Sequence, residues 1–385
     1  MNLPPKERSD MKKHYQHSAR TVYLLVTAVM CCILLSARGR SISIDRRGIV
    51  HAMGIDTCEK GYRVSIQIFQ PAGSGSDTAV DVTGANVAVA VSEGKTVSEA
   101  LSAAGSSTGK ELFFGHLQLI CLGSDIRLDD PRELFAFALG GRNISPSADI
   151  CMAQGKAEEL MQLKLTEDET SAEALSSLIK TSAEYSRTLG CDLRSLFSDE
   201  GSIAMPVLEV ISESDNDSSS ADSPTISQSV KVAGTAVITH EGKSILPEYA
   251  TLFAALLSGK AEKGSIVTIL DDISITSELD NCRRKRTISA ENGRLMLTTN
   301  IIVSARPDHD LDPDQSNKLS TAVSNALIYD CTYLQTEMLR NGTDIFGTSL
   351  LIKQRFPKLW LKYQNTPEIL LSAVDVIVNI NVKVV

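Results

Sequence analysis

Gly105-Ser106-Ser107-Thr108-Gly109-Lys110 is the segment of this chain that comes nearest to a phosphate-binding loop, where backbone N–H groups and a lysine cradle phosphates. Three features oppose that chemistry. One residue too few separates the glycines, Glu111 stands where a magnesium-binding hydroxyl is required, and the residues before the loop have a helical pattern instead of a strand pattern. A helix-terminating turn is expected there. His116, behind Phe113-Phe114-Gly115, has no nearby Ser, Cys or Asp pattern to activate, so it is expected to order a turn through one ring nitrogen. No HxxxH, HExxH or GxSxG occurs, and of six histidines only His14 and His17 are neighbours. Asp129-Asp130 and Asp271-Asp272 lie in loop-like stretches, where carboxylates are solvated. None of the cysteines Cys58, Cys121, Cys151, Cys191, Cys282 and Cys331 forms a CxxC pair, and small buried thiols are the plain reading, best suited to Cys121 and Cys151. Arg283-Arg284-Lys285-Arg286 is the one basic cluster of the body. On a strand its side chains alternate faces, leaving at least two exposed to an anionic partner or as charged guards of a sheet edge. No catalytic residue, metal ligand set or cofactor-binding residue is assigned, and no enzyme activity is expected.

The elements behind these residues follow from hydropathy. Residues 1 to 36 carry five basic side chains (Lys6, Arg8, Lys12, Lys13, Arg20) and two acidic ones (Glu7, Asp10), within a chain of formal charge -9. A basic leader therefore precedes an acidic body, which works against a nucleic-acid surface. Thr21 to Ser36 is uncharged and shows no polar stripe, so it reads as membrane-directed. Its helical rise of roughly 24 Å falls short of a bilayer core of about 30 Å, which fits a secretory signal or a short anchor. Cys31 and Cys32 lie inside this run.

Beyond it, Ile49 to Ile55 is a first strand, and Tyr62, Val64, Ile66 and Ile68 alternate with polar residues as a half-buried second. Pro71 to Asp77 is a loop, Val87 to Val91 an apolar stretch, and Thr96 opens a helix through Leu101 and Ala104. Leu117 to Leu122 and Ala148 to Met152 are strands, Pro131 starts a helix, and Ser171 to Thr188 is a longer one. Past a Ser/Asp-rich stretch, Val230 to Thr239 is a strand and Tyr249 to Leu257 a helix. Asn292-Gly293 turns a hairpin between Arg286–Ile288 and Leu295–Val303. Asp312, Pro313 and Gln315 form a cap, a first-turn proline and a capping-box partner for a long helix that Asn341-Gly342 closes. Val374 to Val384 alternates strictly, so one face of that strand is buried.

The expected fold is α+β: a multi-domain mixed α/β body with a C-terminal sheet packed on a long helix, preceded by an N-terminal membrane segment. Residues 1–42 form the basic leader and the anchor or signal segment, and 43–211 an N-terminal domain. Residues 212–229 are an acidic, Ser-rich linker or loop, and 230–385 a C-terminal region.

Several of these segments resemble one family. Asp45-Arg46-Arg47-Gly48-Ile49, Gly54-Ile55-Asp56 and Tyr62-Arg63-Val64 resemble the start of mature Ger(x)C proteins. Glu93-Gly94-Lys95-Thr96 and Leu112-Phe113-Phe114-Gly115-His116-Leu117 are similar to that family's helix and its Phe-Phe-Gly-His strand. Gly234-Thr235-Ala236-Val237, Asp344-Ile345-Phe346-Gly347, Phe356-Pro357-Lys358 and the terminal Val-rich strand continue the match in order. The resemblance implies small α/β domains and a C subunit of a spore germinant receptor. Its implied partners are integral-membrane A and B subunits and the spore inner membrane, with the body extracytoplasmic. The implied complex answers small-molecule germinants; separately, the acidic charge and the motifs above lead to no expected nucleic-acid partner and no expected cofactor. Where the family has Gly-Cys-Trp with a lipidated cysteine, this chain has Ile42-Ser43-Ile44, so anchoring by the helix itself is expected. A free-standing, membrane-anchored ligand-binding or signalling protein is the alternative. Surface positions near Asp344–Gly347 and Asp45–Arg47 are expected to meet partners, or, on the plainer reading, Asp344 caps a helix and Asp45 or Arg47 forms an exposed ion pair.

Overall fold

Strands that read as unbroken apolar runs belong in the middle of a sheet covered on both faces. Leu119-Ile120-Cys121-Leu122 is one, fully buried along its length. The structure is a computed structural model and describes residues 22–30, 46–69, 87–128, 131–163, 171–197, 202–214, 226–239 and 242–385. It divides into Met1–Arg47 and Gly48–Val385. In the first unit residues 22–30 are helical (α1) with exposed side chains. No helix among the described residues is long and apolar enough to cross a membrane, and the rest of Thr21 to Ser36 lies outside them.

The second unit begins with β1 (Arg47–Cys58), β2 (Gly61–Phe69), β3 (Val87–Gly94), α2 (Val97–Thr108), β4 (Glu111–Phe113) and β5 (Leu119–Leu122). There follow α3 (Pro131–Leu134), α4 (Ala136–Leu139), β6 (Asp149–Ala153), α5 (Ala157–Gln162) and α6 (Ser171–Glu184). Next are β7 (Ile203–Ser214), β8 (Ile226–Thr239), β9 (Gly242–Leu246) and α7 (Glu248–Ser258). The chain ends with β10 (Gly264–Leu270), β11 (Ile273–Glu291), β12 (Arg294–Pro307), α8 (Pro313–Arg340), α9 (Thr348–Arg355), α10 (Pro357–Tyr363), α11 (Pro367–Ser372) and β13 (Val374–Val384).

The first sheet runs β3-β2-β1-β5-β6-β7-β8-β9, with β4 also on β1. Strands β1, β5, β6 and β7 are parallel, and the flanking pairs are antiparallel. One face packs Ile55, Ile66 and Met152 against Leu101 of α2 and Phe114, Phe135 and Phe137. The other packs Cys121 and Cys151 against Leu160 of α5 and Leu175 of α6. Strand β2, expected to be half-buried, is covered on both sides: Ser65 and Gln67 are buried too, and Gln67 Nε2 donates to the Met161 carbonyl at 2.9 Å. Helix α5 supplies that second cover.

Strand β7 has no counterpart in the sequence expectations, and it joins the two halves. It pairs with β6 on one side and with β8 on the other, from Ile203↔Ile238 to Ser214↔Ile226. The acidic segment 212–229 thus gives Ser212–Ser214 and Ile226–Ser229 to paired strands, while 215–225 lies outside the described residues, as do Pro71 to Asp77 and Asp129-Asp130. Helix α6 stops four residues before the expected Thr188, because Ser186 turns into the left-handed region at φ 56°, and the Thr188 hydroxyl donates instead to the Gly234 carbonyl at 3.0 Å.

The second sheet, β10-β11-β12-β13, packs one face on α8 as expected. Asp312 Oδ1 accepts from Gln315 N at 2.8 Å and Gln315 Oε1 accepts from Asp312 N at 3.1 Å, completing the capping box. Leu319, Val323, Leu327 and Cys331 face Ile301, Val303, Val378 and Ile380. Asn292 (φ 50°) and Gly293 (φ 81°) turn the β11–β12 hairpin in the left-handed region that Asn-Gly tolerates. Asp271-Asp272 turns the β10–β11 hairpin the same way.

Candidate functional site

The motifs that carry the family resemblance hold the joints between elements. Asp56, at the end of Gly-Ile-Asp, accepts from Ala157 N at 2.8 Å and Glu158 N at 2.9 Å, the first two amides of α5. Burial pushes its carboxyl up, and those two amides oppose the shift. A Cβ on Gly54 would come within 3.1 Å of the Ala157 backbone, so strand and helix meet only at glycine. Glu93 accepts from Arg63 Nη2 at 2.6 Å, which holds its carboxyl below the ordinary range, and Thr96 caps α2 by accepting from Glu99 N at 3.2 Å. Gly109 ends α2 in the left-handed conformation at φ 64°, its N–H bonded to the Gly105 carbonyl. The loop that resembled a phosphate cradle is therefore a helix terminus. Thr235, of Gly-Thr-Ala-Val, accepts from Leu189 N at 2.9 Å.

Asp344 corrects an expectation. It is 2% exposed, and Phe346 and Gly347 are buried as well, so this motif is not a surface contact. Asp344 accepts from Thr348 N at 2.8 Å and Ser349 N at 2.6 Å, capping α9 from outside it, and its own N–H donates to Ser202 at 3.0 Å. The plainer reading of Asp344 as a helix cap holds. Asp45 lies outside the described residues, and Arg46 is exposed. The basic cluster alternates as expected: Arg283 and Lys285 face out, Arg284 donates to the Leu257 carbonyl, and Arg286 donates to the Gly347 carbonyl at 3.4 Å. These four residues lie past the end of β10, which pairs only with Ile273 to Leu279, so the edge placement also holds.

Among the described residues no hydrogen bond reaches a His116 ring nitrogen, so the expected turn-ordering role is not found. The His116 ring lies 6.4 Å from His51 and 6.0 Å from Phe113, and His51 stacks on Phe69 at 5.7 Å. His51 Nδ1 is buried and finds no partner among the described residues. Burial lowers the His51 pKa below its ordinary 6.5; Glu173 opposes that shift and His116 adds to it. As pH falls, the unfolded chain takes up this proton before the folded one. The stabilisation is therefore complete above about pH 6.5 and is lost as pH drops through the folded value. The urea midpoint is expected to fall between about pH 7.5 and 5.5, and to fall less in His51→Phe. An equal loss in both proteins would remove His51 as the cause.

A cleft of ≈ 580 Å³ opens between α6, the segment after it and the residues following α7. Asp149, Lys180, Glu184, Asp192, Lys260 and Glu262 line it. Lys180 Nζ lies 3.4 Å from the Asp149 carboxylate, Asp192 accepts from Ser195 Oγ at 2.6 Å, and Lys260 donates to the Gly190 carbonyl at 3.3 Å. Burial pushes the Cys191 thiol up to about 12, so it offers no thiolate at neutral pH. The cleft presents charged and hydrogen-bonding groups to solvent, of which Lys180, Asp192 and Lys260 already meet protein partners. Sequence reasoning missed it because its residues come from segments far apart in the chain. Among the described residues the cysteines are free thiols, and no group of three or more His, Cys, Asp or Glu side chains could hold a metal ion.

Comparison with known proteins adds the lineage. The family model described as spore germination protein N-terminal domain matches residues 40–213, and the one described as spore germination B3/GerAC like, C-terminal, matches residues 233–385. No curated protein matches the chain. Among solved structures it is similar to the crystal structure of the GerBC protein, with a TM-score of 0.52 and 16% identity, covering 86% of this chain and 96% of that one. That likeness concerns the fold. With both family models matched in order along most of its length, the chain belongs to the Ger(x)C family of spore germination proteins.

Proposed function

We propose that this protein is the non-enzymatic C subunit of a spore germinant receptor. In this reading it is held at the spore inner membrane with its body extracytoplasmic, and acts with integral-membrane A and B subunits in nutrient-triggered germination. The ordered match of both family models carries the reading. The chemistry of the motifs supports it. Asp56, Glu93, Thr96, Thr235 and Asp344 all serve joints within the fold, which leaves exposed surface as the means of action. Residues 43–211 and 230–385 are then the two family segments of one subunit. Deletion spores are expected to lose the response to one nutrient class yet germinate normally when receptors are bypassed. A normal response to every nutrient, persisting after the other receptors are deleted, would sink the assignment.

The polar cleft favours a second reading, a free-standing ligand-binding or signalling module. Adjacent genes for a multi-spanning transporter-like protein and a second large membrane subunit would decide for the receptor.

A further inference from the structure

We propose that the surface formed by α9, α10 and α11 docks on an anionic lipid bilayer. Residues 348–372 carry Lys353, Arg355, Lys358 and Lys362 against a single acidic side chain, Glu368, in a chain whose formal charge is -9. All four cations are exposed, and among the described residues none meets a carboxylate. Lys362 instead lies over the Tyr363 ring at 5.3 Å. A solvated helix face has mixed charge and few aliphatic side chains. Here Leu350 is 41%, Leu361 63% and Ile369 54% exposed, on three short helices that contact one another.

Spacing sets the apolar and basic groups side by side. Leu350 and Lys353, like Lys358 and Leu361, are three residues apart and share a helix face, and Lys362 lies one turn beyond Lys358. Lysine stems can lie along apolar surface while their ammonium groups reach phosphates, the behaviour of basic amphipathic helices at a membrane interface. The only tryptophan of the chain, Trp360, sits in α10, half-buried against the α9–α11 core, with Tyr363 one turn on. Tryptophan and tyrosine favour the headgroup level, where the ring is sheltered and its polar edge is wet. The charge is complementary to anionic phospholipid, and the exposed Leu350, Leu361 and Ile369 supply apolar side chains for the acyl boundary, which an acidic protein surface would not require. A chain already tethered at a bilayer needs little intrinsic affinity, since the second contact is intramolecular. That tether rests on the proposed function, whereas the charge and exposure of the surface do not.

Trp360 reports directly on this contact. The full chain is reconstituted in phosphatidylcholine bilayers with and without phosphatidylglycerol, using lipid brominated close to the headgroup. In the anionic bilayer Trp360 emission is expected to shift to the blue and be quenched, less so at high salt, and in pure phosphatidylcholine to remain unquenched. Lys358→Gln with Lys362→Gln is expected to lower the docked-to-undocked ratio by about 25-fold, at about fivefold for each basic residue near an anionic surface. Because both side chains are exposed, thermal unfolding of that variant is expected to match the wild type, which separates lost docking from lost folding. Trp360 unquenched in both bilayers, as it would be if a protein were the occupant, overturns the proposal. So does equal quenching in both bilayers, or a variant quenched like the wild type.

Discussion

Phe114→Ala is expected to lower the stability of the fold by about 3–5 kcal/mol, out of the roughly 5–15 kcal/mol that a folded protein typically holds. The ring is 1% exposed and belongs to the core between the first sheet and α2, alongside Phe135 and Phe137. Its remaining face is covered by Arg142, whose guanidinium lies 5.6 Å from the ring centre. Removing the ring leaves a cavity that three covering elements cannot close without moving, and it strands the arginine. Phe113 provides the control one residue away. That ring is half-buried beside His116 and folds over Gly115, where a Cβ would come within 2.5 Å of it. Phe113→Ala is expected to cost less, because its ring was partly in water. Chemical denaturation followed by far-UV circular dichroism measures both. A Phe113→Ala loss equal to or larger than that of Phe114→Ala would show the strand seated the other way round.

Asp344→Ala is expected to cost about 3 kcal/mol through the loss of two charge-assisted hydrogen bonds. Ala leaves the amides of Thr348 and Ser349 at the start of α9 without their carboxylate, in a place where water does not reach. Asp344→Asn keeps one acceptor and is expected to lose about half as much. The graded order wild type, Asn, Ala in unfolding midpoint is the test, and Arg46→Ala, on an exposed side chain, is expected to stay within about 1 kcal/mol of wild type. If Asp344→Ala unfolded like the wild type while losing its partners in a pull-down, the carboxylate would be a contact residue and not a cap.

Features that depend on residues close in sequence were legible without the structure. Asp312, Pro313 and Gln315 specify a helix start by themselves, since the cap bonds close within four residues. Asn292-Gly293 specifies a turn through its own backbone preference, and the alternation from Val374 to Val384 specifies which face is covered. What stayed hidden depends on partners far along the chain. Ser65 and Gln67 look like solvent-facing strand residues until α5, about 95 residues later, covers them. Strand β7 carries Pro206, which weakens a strand reading, yet it is placed by β6 and β8. Asp344 was legible as a helix cap, because Thr348 and Ser349 follow within five residues, but its burial was not, since its N–H meets Ser202 from 142 residues earlier. The cleft is built from three segments and has no linear signature.

The pairing of β7 with β8 also bears on how the chain is made. The first sheet takes its last two strands, β8 and β9, from the chain that follows residues 215–225, so on the ribosome it stays incomplete until Leu246 has emerged. Until β8 has emerged, as far as Ile238, the twelve-residue β7 offers an unpaired edge. Folding of the amino-terminal half therefore waits on the carboxy-terminal half, and a chain halted between them would leave a sticky edge for chaperones to guard.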